Sequence, residues 1–236
     1  MVTTVTRAAT MTGAAARRER NRREMREVIL AAARDIVASQ GIGALTMRAI
    51  AQAIGYSPAA IYEYFPAKED LYGCLYFEGI GGFAERMRAA LAAAPPGASA
   101  RDRLATLGHA YRAYAHQQPD LFRLVLGNPA PEFTPGFTPE EPEQAEVEAG
   151  DDAFTLLVNT AQEGVERGEF VPLPPVTIAM AAWAAVHGFV ILELNGHLSA
   201  GASGARTSNE PETAACSRDE LFAATLDLCA SGLLRR

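Results

Sequence analysis

Apolar residues return at helical spacing along most of this chain, with no convincing alternating, strand-like stretch between them. Met25, Val28, Ile29, Ala32 and Ile36 form one stripe and predict a first helix from about Arg20 to Gln40, ended by Gly41. A short second helix follows. Thr46 stands where a hydroxyl N-cap is needed, Leu45 and Ile50 hold the flanking staple positions, and Ile50, Ala51 and Ile54 share a face. Gly55 closes it, where a left-handed residue costs least. The third helix opens on Ser57 as cap and Pro58 at the first helical position, with Tyr56 and Ile61 as a second staple. Pro66 stops it after about two turns. Ile61 and Phe65 turn inward, which leaves Ala59, Ala60, Tyr62, Glu63 and Tyr64 on the other faces.

Beyond Pro66 the same period predicts six more helices. Lys68 to about Ala93 is long, anchored by Leu71, Cys74, Leu75, Phe83 and Met87, with Gly79, Gly81 and Gly82 as points where it bends. Pro95-Pro96-Gly97 breaks the chain before a helix over Arg101–Gln118 and a shorter one over Asp120–Leu126. Asp151–Arg167, Pro175–Leu198 and Arg218–Leu234 complete the set. Between them, Gly127–Gly150, rich in Pro and Glu, reads as a flexible acidic loop, and residues 199–217 as a second mobile one. The expected architecture is all-α: a tail over 1–16, a small helical domain over 17–66, and a larger one over 67–236.

With 236 residues, 49% of them hydrophobic, the chain can bury a substantial core in one or two domains. No run of about 18 consecutive apolar residues predicts a membrane span. The first residues lack the apolar region of a secretory signal. Cys74, Cys216 and Cys229 fit neither a disulfide framework nor a zinc pattern, which agrees with a reducing cytoplasm. The net charge of −7 is unevenly divided. Residues 1–75 hold ten Lys/Arg against seven Asp/Glu, whereas the remainder holds eleven against twenty-one. The basic excess sits at Arg17, Arg18, Arg20, Arg22, Arg23 and Arg26, beside the two short helices, where it contributes attraction to phosphate. Catalytic chemistry has no foothold: there is no nucleophile–base pairing, phosphate-binding Gly loop or paired acid–base carboxylates. Neither a cofactor nor a metal site is expected.

Two short capped helices about a Gly turn make a helix-turn-helix, although caps and Gly alone suit any αα-corner. The second helix has the composition of a recognition helix, with small residues where the backbone must come close and two phenols that reach phosphates. The residues in register are more specific. T-x-R-x-I-A-x-x-x-G-x-S, then I-Y-x-Y-F, then K-E-x-L, between about Val28 and Leu71, resembles the amino-terminal domain of the tetracycline-repressor (TetR) family of transcription regulators. Ala67 departs from the family's frequent small polar cap and weakens the start of the fourth helix. Trp183-Ala-Ala-Val-His187-Gly188, followed by Phe189, Ile191, Leu192, Leu194 and His197, is similar to the WHG-type C-terminal domain of one TetR subgroup.

The resemblance implies a homodimeric, ligand-responsive repressor on a pseudo-palindromic double-stranded DNA operator. Carried over to this chain, Thr46, Tyr62, Tyr64 and Lys68 contact phosphate, Arg48 reaches phosphate or a base edge, and Ser57, Ala59 and Ala60 lie nearest the groove. The C-terminal domain would hold a small-molecule effector. His109, Tyr111, Tyr114, Phe122, Trp183 and His187 are candidates for its pocket, each weighed against an ordinary place in the core. The helix from Pro175 is apolar on nearly every side, so other helices must cover it. Pairing it and the last helix with a two-fold copy suggests Phe189, Leu194, Phe222 and Leu226 as interface residues. A constitutive DNA-binding regulator without an effector is the alternative, and a solidly packed C-terminal core would favour it. A helical enzyme that uses the head as scaffold is a further rival, for which no residues assemble.

Overall fold

The computed structural model describes residues 13–127, 141–198 and 217–233, with the backbone alone over 141–152. Residues 1–12 of the tail expected over 1–16, most of the loop expected over 199–217, part of the acidic loop, Cys216 and Leu234 lie outside the described residues. Among the described residues the regular structure is entirely helical: α1 Gly13–Gln40, α2 Met47–Ile54, α3 Pro58–Tyr62, α4 Lys68–Ala92, α5 Ala100–Gln117, α6 Pro119–Leu126, α7 Glu141–Glu166, α8 Pro175–Leu194 and α9 Arg218–Leu233. Two helices begin earlier than the apolar pattern suggests. α1 extends back to Gly13, and its first turns bury nothing, so no stripe announces them. α7 starts at Glu141, not Asp151; Pro142 falls in its first turn, where a missing N–H is harmless.

The chain separates into two compact units, one ending at Leu75 and the other starting at Tyr76. That division falls inside α4, well beyond Pro66. The first turns of α4 are tied to the first unit: Leu71, Cys74 and Leu75 are buried, and Arg26 reaches the Cys74 Sγ at 3.7 Å. The Tyr72 hydroxyl also donates toward the carbonyls of Ile42 and Leu45. In this unit α1 packs on α2 and α2 on α3, and Ile29, Leu45, Ile50, Ile61, Phe65 and Leu71 are fully buried. Each such side chain contributes about 1.5–3 kcal/mol when removed from water.

In the second unit α5 packs against α6, α7, α8 and α9. One core cluster joins Ala100, Leu104, Ala161, Phe170, Ile178 and Leu233. Gly164 is needed there because a Cβ would come within 2.2 Å of the Phe170 ring. Gly79 of α4 allows close approach: a Cβ would meet Val125 at 2.6 Å and Leu121 at 2.9 Å. The Tyr114 hydroxyl donates to the Gly79 carbonyl at 2.9 Å. α8 is long and apolar enough by composition to cross a membrane, although no uninterrupted apolar run flags it. Its Ile178, Ala179, Val186, Phe189 and Val190 are buried within the unit, as a core helix requires.

Candidate DNA interface and ligand cavity

The helix-turn-helix is built by its caps. The Thr46 hydroxyl accepts from the Ala49 N–H at 3.0 Å and that of Ser57 from the Ala60 N–H at 3.2 Å. Between them Gly55 takes a left-handed φ of 74°, which lets the Tyr56 N–H return to the Ala51 carbonyl. α3 is shorter than its apolar pattern suggests, ending at Tyr62 before a turn through Glu63 and Tyr64. Thr46, Arg48, Ser57, Ala59 and Tyr62 are exposed, whereas Ala60, Tyr64 and Lys68 are partly buried. The Lys68 ammonium lies 4.7 Å from the centre of the Tyr72 ring. Ala67 costs α4 little, because Asp70, three residues on, accepts from the Ala67 N–H at 3.1 Å.

Two of the arginines read as phosphate ligands are engaged elsewhere. Arg26 donates to the Tyr64 carbonyl at 2.8 Å and stacks 4.2 Å from the Phe65 ring centre. Arg22 donates to the Glu63 carbonyl at 3.1 Å. Both therefore brace the C-terminal end of α3, where carbonyls lack helical partners and a cation is favourable. Arg17, Arg18, Arg20 and Arg23 are exposed along the early turns of α1.

The second unit contains a cavity of about 690 Å³, bordered by residues of α4 to α9. Of the six residues expected in a pocket, Tyr111 and Trp183 line it. The Tyr111 hydroxyl lies 2.7 Å from His187 Nδ1, and the Trp183 ring lies 6.1 Å from that of His187, centre to centre. Burial pushes the Tyr111 phenol far above its ordinary range and the His187 imidazole below its own. The pair is thus neutral near pH 7, with His187 backing the cavity wall from one layer behind. Phe122 is fully buried, its ring 5.5 Å from that of Tyr111. Tyr114 is committed to Gly79, and burial raises its phenol to about 12. His109 is corrected: it lies outside the cavity, exposed and edge-on to Phe222 at 5.3 Å. Two residues before Tyr111 is about 200° around a helix, so the two cannot face the same way.

Phe83 and Met87 of α4 and Phe154 of α7 also line the cavity, and sequence reasoning did not place them there. Phe83 and Met87 stand out as apolar anchors, yet nothing local says what an anchor faces. A second unforeseen feature joins α5, α8 and α9. Arg112 grips both oxygens of the buried Glu193, at 2.8 and 2.6 Å, and reaches Asp219 at 2.7 Å, while His116 Nε2 is 2.8 Å from Glu193. The hydrogen bonds from Arg112 hold the Glu193 carboxyl below its usual range. A glutamate inside the otherwise apolar run of α8 was the available signal.

Two of the four residues suggested for an interface between copies need correction. Phe189 and Phe222 pack against each other within the protomer, centroids 5.1 Å apart, and both are buried. Leu226 lines the cavity and presses on Gly108, and Leu194 is partly buried. The exposed large apolar residues of these helices are Val176, Met180 and Leu192 on α8 and Leu221 and Leu228 on α9.

Known proteins place both units. Residues 29–73 match the family described as bacterial regulatory proteins, tetR family, and residues 104–228 match the tetracyclin repressor-like C-terminal domain. An uncharacterized HTH-type transcriptional regulator of Mycobacterium tuberculosis is 26% identical over 175 residues, 72% of this chain and 71% of that protein. A protein of unknown function from Rhodococcus sp. RHA1 has a solved structure with a TM-score of 0.65 and 27% identity, covering 89% of this chain and 96% of its own. The fold also matches the TetR family transcriptional regulator PfmR from Thermus thermophilus, with a TM-score of 0.55 and 21% identity over 88% of this chain and 99% of that one. The matches to both halves, together more than half of the chain, carry the conclusion that this protein belongs to the tetR family of bacterial regulatory proteins and is a DNA-binding transcriptional regulator, not an enzyme.

Proposed function

We propose that two copies of this chain bind a pseudo-palindromic operator as a repressor in the cytoplasm, and that a small molecule in the cavity releases them. The cavity carries this reading. A constitutive regulator needs only a packed C-terminal core, whereas about 690 Å³ of apolar space with a few polar tips has the size of a small-molecule site. Each α3 would enter a major groove by its N-terminal end, where Ser57 and Ala59 are small and exposed. Thr46, Tyr62, Tyr64 and Lys68 would hold phosphates, and Arg48 a phosphate or a base edge. Ala60, partly buried, would sit at the close approach. The exposed apolar face of α8 and α9 supports pairing with a second copy, since obligate interfaces resemble a core cut in half. A ligand can shift the heads only by binding one arrangement better than the other.

Footprinting of the DNA flanking the protein's own coding sequence tests the DNA half of this reading. The parent protects a two-fold site, and affinity falls about a thousand-fold between roughly 50 and 200 mM salt if six or more phosphates are contacted. The combined Arg48→Ala, Tyr64→Phe and Lys68→Ala variant loses that protection. Parental protection by the combined variant would show that these residues do not form the interface.

A further inference from the structure

The cavity wall has an uneven chemistry. Its deep residues, among them Phe83, Met87, Leu107 and Val125, are buried and apolar. Among the described residues, the charged ones along it are Arg101, Asp102 and Asp227, and none is buried. Arg101 and Asp227 pair with each other at 3.0 Å, and Asp102 accepts from the Ser99 hydroxyl at 2.7 Å in the N-terminal cap of α5. Among the described residues, an anion entering the deep part would find no cation, and a cation no carboxylate. All three rim charges already hold a partner within the protein. Burying an ionised group without a partner is strongly unfavourable, while burying an apolar one is favourable.

Of the uncharged polar side chains described along the cavity, those of Tyr76, Tyr111, Trp183, Thr225 and Cys229, only that of Tyr111 is buried. Tyr111 is 4% exposed and borders the cavity. Its hydroxyl lies 2.7 Å from His187 Nδ1, and whichever of the two carries the shared proton, the phenol oxygen keeps a lone pair. That oxygen retains capacity to accept a further hydrogen bond. The deep wall therefore offers this neutral acceptor among buried apolar side chains.

Resting on the reading of this cavity as the effector site, we propose that it selects a neutral, largely apolar ligand with a single hydrogen-bond donor, seated against the Tyr111 hydroxyl, and that it rejects ionised ligands. The donor can be a hydroxyl or an amine N–H. Apolar area supplies the affinity, and the Tyr111 oxygen fixes which end of the molecule lies deep. Trp183, the one tryptophan of the chain, borders the same space and reports its occupation.

Two fluorescent probes with the same aromatic skeleton separate charge from shape. N-phenylnaphthylamine is neutral with one N–H, and anilinonaphthalenesulfonate adds an ionised sulfonate. Titrated into the full-length protein with excitation of Trp183, the neutral probe shows saturable sensitised emission and binds at least about ten-fold tighter than the sulfonate, since 1.4 kcal/mol already gives that factor. Tyr111→Phe weakens N-phenylnaphthylamine about two- to ten-fold, the range of one net hydrogen bond, and leaves phenylnaphthalene, which has no N–H, within about two-fold. Ala105→Phe and Ala182→Leu, on the α5 and α8 walls, each reduce binding of both neutral probes in protein that keeps its thermal melt.

Equal or tighter binding of the sulfonate would overturn the ligand class. So would parental binding in either folded filled-cavity variant, and an equal effect of Tyr111→Phe on both neutral probes would overturn the anchor. The same titration made with footprinted DNA present distinguishes the two levels. Saturation of Trp183 transfer with the DNA still protected supports the cavity's ligand class and refutes its role as the effector site.

Discussion

Arg26→Ala separates a structural arginine from a DNA-binding one. In the structure this side chain lies against its own head: 2.8 Å from the Tyr64 carbonyl, 4.2 Å from the centre of the Phe65 ring and 3.7 Å from the Cys74 Sγ. A hydrogen bond from a charged donor is worth about 1.5–3 kcal/mol. The ring contact adds about 0.5–2 kcal/mol, depending on how far it is desolvated. Because Arg26 is only partly buried, the lower half of the summed range applies, about 2–3 kcal/mol. The Tyr64 and Phe65 N–H groups both return to the Ile61 carbonyl at 3.0 Å, so they report on this corner directly. Their hydrogen exchange in Arg26→Ala should accelerate about thirty-fold or more, at 1.4 kcal/mol per factor of ten. Arg26→Lys should fall between, keeping a charge near the carbonyl and losing the planar stack. DNA affinity drops through the weakened head, while its dependence on salt stays parental. A phosphate ligand behaves in the opposite way: exchange is unchanged and the salt slope falls by about 0.9. That second pattern would refute the bracing role.

Gly164→Ala should destabilise the second unit by about 1–3 kcal/mol, because its Cβ would sit 2.2 Å from the fully buried Phe170 ring; a parental melting temperature would contradict that packing. Glu193 has its carboxyl held low, first by Arg112, so its stabilisation is complete above the ordinary carboxyl range and is lost as pH falls through the lowered value. Thermal melts of Glu193→Gln should lose that part of the parent's acid dependence, and identical acid profiles would show the pairing with Arg112 to be energetically idle. Leu192→Glu combined with Leu228→Glu should give monomers in sedimentation while N-phenylnaphthylamine still enters the cavity, since both side chains point away from the protomer core. A parent that is monomeric at micromolar concentration, yet protects a two-fold site, would remove the pairing altogether.

The head was legible in the sequence because its determinants are local. Thr46 with Ala49, Gly55, Ser57 with Ala60, and Pro66 each act over three or four residues, and only a few residue types satisfy such geometries. Helix number and order followed from periodicity for the same reason. What acts over longer separations was decided only by the tertiary structure. Arg22 and Arg26 look like any solvated basic run until α3 folds back and offers its last carbonyls, about forty residues away. Charge told where the basic residues are, and packing told which of them are engaged. His109 and Tyr111 were both expected in the pocket; two residues apart on one helix they face differently, and which of them faces inward depends on α8 and α9. α8 is the clearest case. A helix apolar all round has no sequence-marked inner face, so Phe189 could be placed on a partner surface as readily as in the core. Its contacts with α5, α7 and α9 remove that freedom. The cavity is the extreme: it is space that side chains from six helices leave unfilled, and no single stretch of sequence records it.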